Sequence, residues 1–180
     1  MTTSDVPLDP PDPPVNARIE RWGPDDRPLL DQSLGDAAMT RYLGGPESPE
    51  KIAERQARYE RDPRQFRVVD AESGEPAGWV GYWERTVGDG TVFEIGWSVL
   101  PAVQGRGLAS VATAEALDRA RAERVHRYVH AYPSVENGPS NAICRKLGFA
   151  LVEQQSYEYP PRSGNVMVCN DWRFDLFAES

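Results

Sequence analysis

Residues 99–111 read VLPAVQGRGLASV, and the reading of this stretch decides the fold. An apolar run ends at Pro101, two glycines flank Arg106, and an alanine-rich stretch begins directly afterwards. Backbone amides gathered at the start of a helix, where the helix dipole is positive, hold anions. Several unrelated folds build that device with different spacings. A nucleotide P-loop needs a lysine after its last glycine, and none lies near. A dinucleotide loop needs a third glycine, where this chain has Ser110, and an acidic residue about twenty positions further on. The following strand ends instead in VHAY, without a carboxylate.

Working outward, ARIERW (17–22) reads as a first strand, and residues 23–43 as a helix opening near Asp25 and Asp26. Residues 48–62 read as a second helix, with Ser48 as N-cap and Pro49 at its first position. Residues 65–71, 77–85 and 91–100 are three strands separated by glycine-bearing turns. Past the loop, Leu108, Val111, Ala112, Ala116, Leu117 and Ala120 form one helical stripe. A strand over 124–132 follows, then a short helix over 140–147 closed by Gly148, then two strands around PPRSG. The order β-α-α-β-β-β-α-β-α-β-β predicts an α/β domain with a mixed, mostly antiparallel sheet of about seven strands flanked by about four helices.

On that frame the loop resembles the pyrophosphate loop of the GNAT acetyltransferases, Gln/Arg-x-x-Gly-x-Gly/Ala, through Gln104, Gly107 and Ala109. A second signature falls in ENGPSNAICRKLGF (136–149), where Asn137 precedes a helix ending in LGF. RYLGGPESPE near the N-terminus is similar to the subgroup of ribosomal-protein N-terminal acetyltransferases. The resemblance covers roughly residues 16–176. It implies that acetyl-CoA lies with its pyrophosphate on the amides of Gly105, Arg106, Gly107, Leu108, Ala109 and Ser110, beside Gln104. Trp97, Ser98 and Val99 would pair with the pantetheine arm, the amide of Val99 facing the oxyanion, with Asn137 and Ser140 nearby. Arg106 either adds a charge-assisted contact or points to water.

Acetyl transfer to an amine needs a base, and Glu94, a carboxylate in an otherwise apolar strand, is the first candidate. His130 is its rival, placed by strand alternation on one face with His126, Tyr128 and Tyr132. Against both stands an ordinary structural role, a salt bridge for Glu94 and a packed strand histidine for His130. Many relatives have a tyrosine seven residues after the motif asparagine; here that position is Cys144. Its thiol is either an acid for the leaving thiolate or a small buried hydrophobe. Ser140 is the alternative acid, or an N-cap of the short helix. Phe66, Trp79, Tyr82, Trp83 and Trp97 are core aromatics or acceptor-pocket walls.

Composition limits the function classes. A chain of 180 residues fits one domain over 16–180, behind a proline-rich flexible tail over 1–15. The formal net charge of −8 argues against nucleic-acid binding, yet screening over about 8 Å leaves a local anion site intact. No apolar run reaches the roughly 20 residues of a membrane span, and two cysteines, Cys144 and Cys169, suggest a reducing cytoplasm. Eighteen arginines against two lysines fit a GC-rich, bacterial genome. Histidines and cysteines lack ligand spacing, so no metal is expected. The expectation is an acetyl-CoA-dependent N-acetyltransferase acting on a primary amine, of a small molecule or a protein N-terminus, with a homodimer left open. Its alternatives are a coenzyme-A-binding module without turnover, and an enzyme using another acyl group or a hydroxyl acceptor.

Overall fold

Ten consecutive residue pairs join strand β3 (Pro76–Val87) to β4 (Gly90–Val99), but only two join β4 to β5 (Tyr128–Ala131). The computed structural model describes residues 17–158 and 162–178. The expected tail over 1–15 lies outside the described residues. With β1 (Ala17–Arg21), β2 (Gln65–Asp70), β6 (Ala150–Glu158) and β7 (Val166–Asp175), the strands form one sheet in the order β1-β2-β3-β4-β5-β7-β6. Every pairing is antiparallel except β4 with β5. A parallel neighbour needs a crossover, and α3 (Leu108–Glu123) supplies it.

The remaining helices are α1 (Arg27–Leu34), α2 (Pro49–Arg61) and α4 (Gly138–Lys146). Helix α3 lies on one face of the sheet, its Ala112, Ala116 and Ala120 wholly buried against strand side chains including Val80, Phe93 and Val129. Small side chains let the helix approach the sheet closely and fill the space at native density. Helices α1 and α2 cover the opposite face, with a second cluster of Trp22, Leu29, Leu30, Leu34, Ile52, Tyr59 and Trp79. Among the expected aromatics, Phe66, Trp79 and Tyr82 are core, whereas Trp83 and Trp97 are half-buried.

Three of the boundaries that differ from the sequence expectation do so for a clear local reason. The first helix stops at Leu34 rather than near residue 43: Asp36 takes the amide of Met39 at 2.8 Å and turns the chain. Strand β5 begins at Tyr128 rather than 124, because Arg124 caps α3 in a left-handed conformation with φ of 55°. Helix α4 begins at Gly138, so Ser140 is not its N-cap. Asn137 holds that place, its side-chain oxygen accepting from the Ser140 amide at 3.2 Å.

Candidate active site

The site grows from the parting of β4 and β5. Pairing ends at Glu94 opposite His130, and the last five residues of β4 run on with no strand partner on that side among the described residues. The Leu100 amide donates to Ala77 O at 2.8 Å, which fixes the phase of the ladder with β3. By antiparallel alternation, Val99 and Trp97 then turn their N–H and C=O groups away from β3, into the opened side. Backbone groups in this state demand a partner. Such an edge can take an extended amide-bearing chain as it would an added strand.

The glycine loop closes the same end. Gly105 and Gly107 both have φ of 76°, and Gly107 is the N-cap of α3. Only glycine adopts that conformation without cost, and two of them turn the chain so that the first turn of α3 faces the gap. Gln104 donates its side-chain amide to Val99 O at 2.9 Å, stapling the loop to the end of β4. Leu108 and Ser110 bury their side chains, anchoring the helix start, while Ala109 is half-buried. Arg106 reaches the end of β2 and the turn after it, bonding Asp70 at 2.6 Å and Glu72 at 2.7 Å. Its guanidinium holds the Asp70 carboxyl below the usual carboxylate range.

Glu94, Gly96 and Ser98 alternate with Phe93, Ile95 and Trp97, which belong to or pack on the α3-side core, so the former face the α1/α2 side. Trp83 lies across Gly96: a Cβ there would stand 3.0 Å from its ring. One Glu94 oxygen accepts from Arg85 at 2.7 Å, and the Arg85 guanidinium sits over the rings of Tyr132 and Tyr157, 4.2 and 5.2 Å from their centroids. His130, only 6% exposed, has Nδ1 2.6 Å from Asp171 Oδ1 and stacks on Tyr132. The other Asp171 oxygen accepts from Gln155 Nε2 at 3.3 Å, and Gln155 in turn accepts from the Tyr157 hydroxyl. Burial pushes the Tyr157 hydroxyl up to about 12 and Tyr132 higher still, so both stay protonated near neutrality.

Cys144 lies in the main core, fully buried on the inner side of α4, with burial pushing its thiol up to about 12. The Ser140 hydroxyl has no hydrogen-bond partner among the described residues, and the residue is half-buried. Two residues escaped the sequence reading. Asn141 is buried and bonds four groups at once: its amide donates to Ser134 O and Asn137 O, and its oxygen accepts from Asn170 and Trp172. Asp171, the partner of His130, is reachable only through β7, forty-one residues away. Its one local signal is a charge within a strand that is otherwise buried there.

Beyond the end of β5, Ser134–Glu136 faces Arg41, Tyr42 and Gly44 across a cavity of about 490 Å³, floored by Val166, Met167 and Val168. Met167 lies two residues from Cys169 and four from Asp171, so it shares their face of the sheet. The loop after α1 therefore overhangs the same surface that carries His130 and Glu94. Among the described residues no group of three or more histidine, cysteine, aspartate or glutamate side chains could hold a metal, and no helix is long and apolar enough to cross a membrane.

The family model described as an acetyltransferase (GNAT) domain matches residues 17–150. Solved structures resemble the whole fold. One is an acetyltransferase of the GNAT family from Bacillus anthracis, 18% identical with a TM-score of 0.72, covering 89% of this chain and 95% of that one. Another is a ribosomal-protein-alanine N-acetyltransferase from Brucella melitensis, 18% identical with a TM-score of 0.70, covering 88% of this chain and 99% of that one. A third is a spermidine N-acetyltransferase from Vibrio cholerae in complex with CoA and spermine, 18% identical with a TM-score of 0.72, covering 89% and 96%. At such identities the likeness is one of fold. No curated protein matches the sequence.

Proposed function

This chain belongs to the GNAT acetyltransferase family, acyltransferases that use acetyl-CoA, and from that premise we propose that it acetylates a primary amine by direct attack. The observation that carries the reading is the parted β4 and β5, with the N–H groups of Trp97 and Val99 and the Trp97 C=O turned into the gap, leading to the glycine-flanked start of α3. Acetyl-CoA supplies the activated acyl carbon. The chain supplies the rest. The amides from Gly105 to Ser110 take the pyrophosphate, with the partial positive charge of the α3 N-terminus behind them. Trp97, Ser98 and Val99 align the arm, and the Val99 amide, already aimed into the gap, is the donor for the oxyanion. Gln104 and Asn137 shape the two sides of the opening through the bonds that fix the loop and the start of α4.

The acceptor enters from the α1/α2 side, through the cavity beneath Arg41 and Tyr42. Its proton leaves by the pair of side chains at the last paired register, Glu94 and His130. Ser140 and His130 are the two candidates to protonate the leaving thiolate, while Cys144 fills the core.

The test joins binding to turnover. Acetyl-CoA at a hundred times its Kd stabilises the fold by about 2.7 kcal/mol, a rise of roughly 5–10 °C in Tm. Spermine and an alanine-initiated peptide serve as amine probes, with release of free coenzyme thiol as the readout. No thermal shift would sink the coenzyme site. A shift without thiol release from either amine would favour a binding module or another acceptor class.

A further inference from the structure

We propose that Asp171 and His130 form a working dyad in which His130 is the catalytic base and Asp171 the residue that positions it. The inference rests on the amine-acetylation reading above and deepens it. Four observations carry it. His130 is the last residue of β5 paired with β4, so its ring stands where the strands part and the coenzyme arm would enter. Its Nδ1 is bound to a buried carboxylate at 2.6 Å, which fixes the proton on Nδ1 and leaves Nε2 with its lone pair. Nε2 has no hydrogen-bond partner among the described residues. The alternative base, Glu94, already has one oxygen committed to Arg85, itself stacked on Tyr132.

Asp171 is held in turn. Gln155 Nε2 donates to its far oxygen, and the Tyr157 hydroxyl fixes the other end of the Gln155 amide. The chain from Tyr157 to His130 is therefore directional, each donor pointing toward the carboxylate. In the reaction the nitrogen of the neutral amine attacks the thioester carbon and its proton passes to Nε2. The C–N bond forms, and the C–S bond breaks with its electron pair leaving on sulfur. The proton then moves from Nε2 to the thiolate, giving amide and thiol and restoring the imidazole. One side chain thus takes and returns the proton, which accounts for turnover in a chain whose Cys144 is sealed in the core.

The directional network gives a sharp test in Asp171→Asn. Gln155 can only donate to the far position, so the asparagine must place its oxygen there and its NH₂ against His130. An NH₂ group donates to Nδ1 and drives the ring proton to Nε2, where it blocks the lone pair. Nitrogen NMR of the ring should therefore show the proton on Nδ1 in the wild type and on Nε2 in Asp171→Asn. With whichever probe amine turns over, kcat should fall by about 10²–10⁴-fold, the range for a lost general base. The KM for acetyl-CoA and its thermal shift should stay within about twofold. His130→Gln should lose kcat by a similar factor, and the double variant no more than either alone. Should Asp171→Asn fail to fold, His130→Gln and the wild-type spectrum still decide. Full kcat in His130→Gln, or a proton on Nε2 in the wild type, overturns the dyad while leaving amine acetylation standing. A wild-type enzyme that releases no thiol with either amine overturns both.

Discussion

Gly107 has two duties at one backbone position, and the structure separates them. Its φ of 76° makes it the left-handed N-cap of α3, and its amide belongs to the turn proposed to hold the pyrophosphate. Any side chain there meets the left-handed penalty of about 1–2 kcal/mol, more for a β-branched residue. Gly107→Val should therefore lower Tm by several degrees without unfolding the protein. Acetyl-CoA should bind at least about tenfold more weakly, since a single charge-assisted hydrogen bond to the pyrophosphate is worth roughly 1.5–3 kcal/mol. Isothermal titration beside a thermal melt checks both, and unchanged coenzyme affinity would remove the pyrophosphate from this loop. The spacing of Gln104, Gly107 and Ala109 was enough to find this position. It was not enough to place Arg106, whose partners, Asp70 at the end of β2 and Glu72 in the turn after it, lie more than thirty residues back. Side chains that point along a strand face are legible from alternation; those that reach across the fold are not.

Strand β5 and helix α4 show the same limit among the elements. Periodicity located both, but their starts were set by groups that periodicity does not weigh. A left-handed Arg124 delayed the strand, and the Asn137 cap advanced the helix by two residues. Because Asn137 carries the cap, Ser140→Ala should cost little stability, and any fall in kcat it causes belongs to chemistry rather than to the helix. Asn137→Ala should cost about 1 kcal/mol. Asn141→Ala should be the severe change. It strands two donors, on Asn170 and Trp172, in a buried corner, and takes the second of two hydrogen bonds from the carbonyls of Ser134 and Asn137, which keep their backbone donors. A loss of about 2–4 kcal/mol in urea unfolding is expected, with the chain from 134 to 137 loosened first. A loss equal to that of Asn137→Ala would show that water replaces the missing bonds. In sequence, Asn141 is simply a polar residue within a short helix. Its importance comes from β7, which only the folded sheet brings beside it.

Across the whole molecule, the proposed coenzyme and acceptor sides meet where β4 and β5 part. The α3 face was legible from the alanine stripe, and the element order gave the sheet its seven strands. What lay hidden was the strand order at the far edge, where β7 inserts between β5 and β6 and carries Asp171 to His130. The abundant arginines prove to be distributed counter-charges. Arg67 and Arg18 lower the pKa of Glu20, Arg106 that of Asp70, and Arg127 that of Asp175. Each carboxyl is a stronger acid in the folded chain than in the unfolded one, so the unfolded chain binds protons first as pH falls. The stability these pairs contribute is complete above the unfolded values of roughly 4 and is lost as pH drops through the lower folded values. The urea midpoint should accordingly stay level from pH 7 to about 5 and fall below about 4.5, where twenty basic residues also lose their balancing charge. The Glu20 and Asp175 pairs are partly exposed, whereas the Asp70 carboxylate is buried beneath its arginine. Added salt should therefore flatten the part of the acid limb that the first two supply, by screening them. Replacing Arg67, Arg106 and Arg127 together by glutamine should do the same at low salt. A midpoint that already falls between pH 7 and 5.5 would put histidine protonation, rather than these carboxylates, in control of acid unfolding.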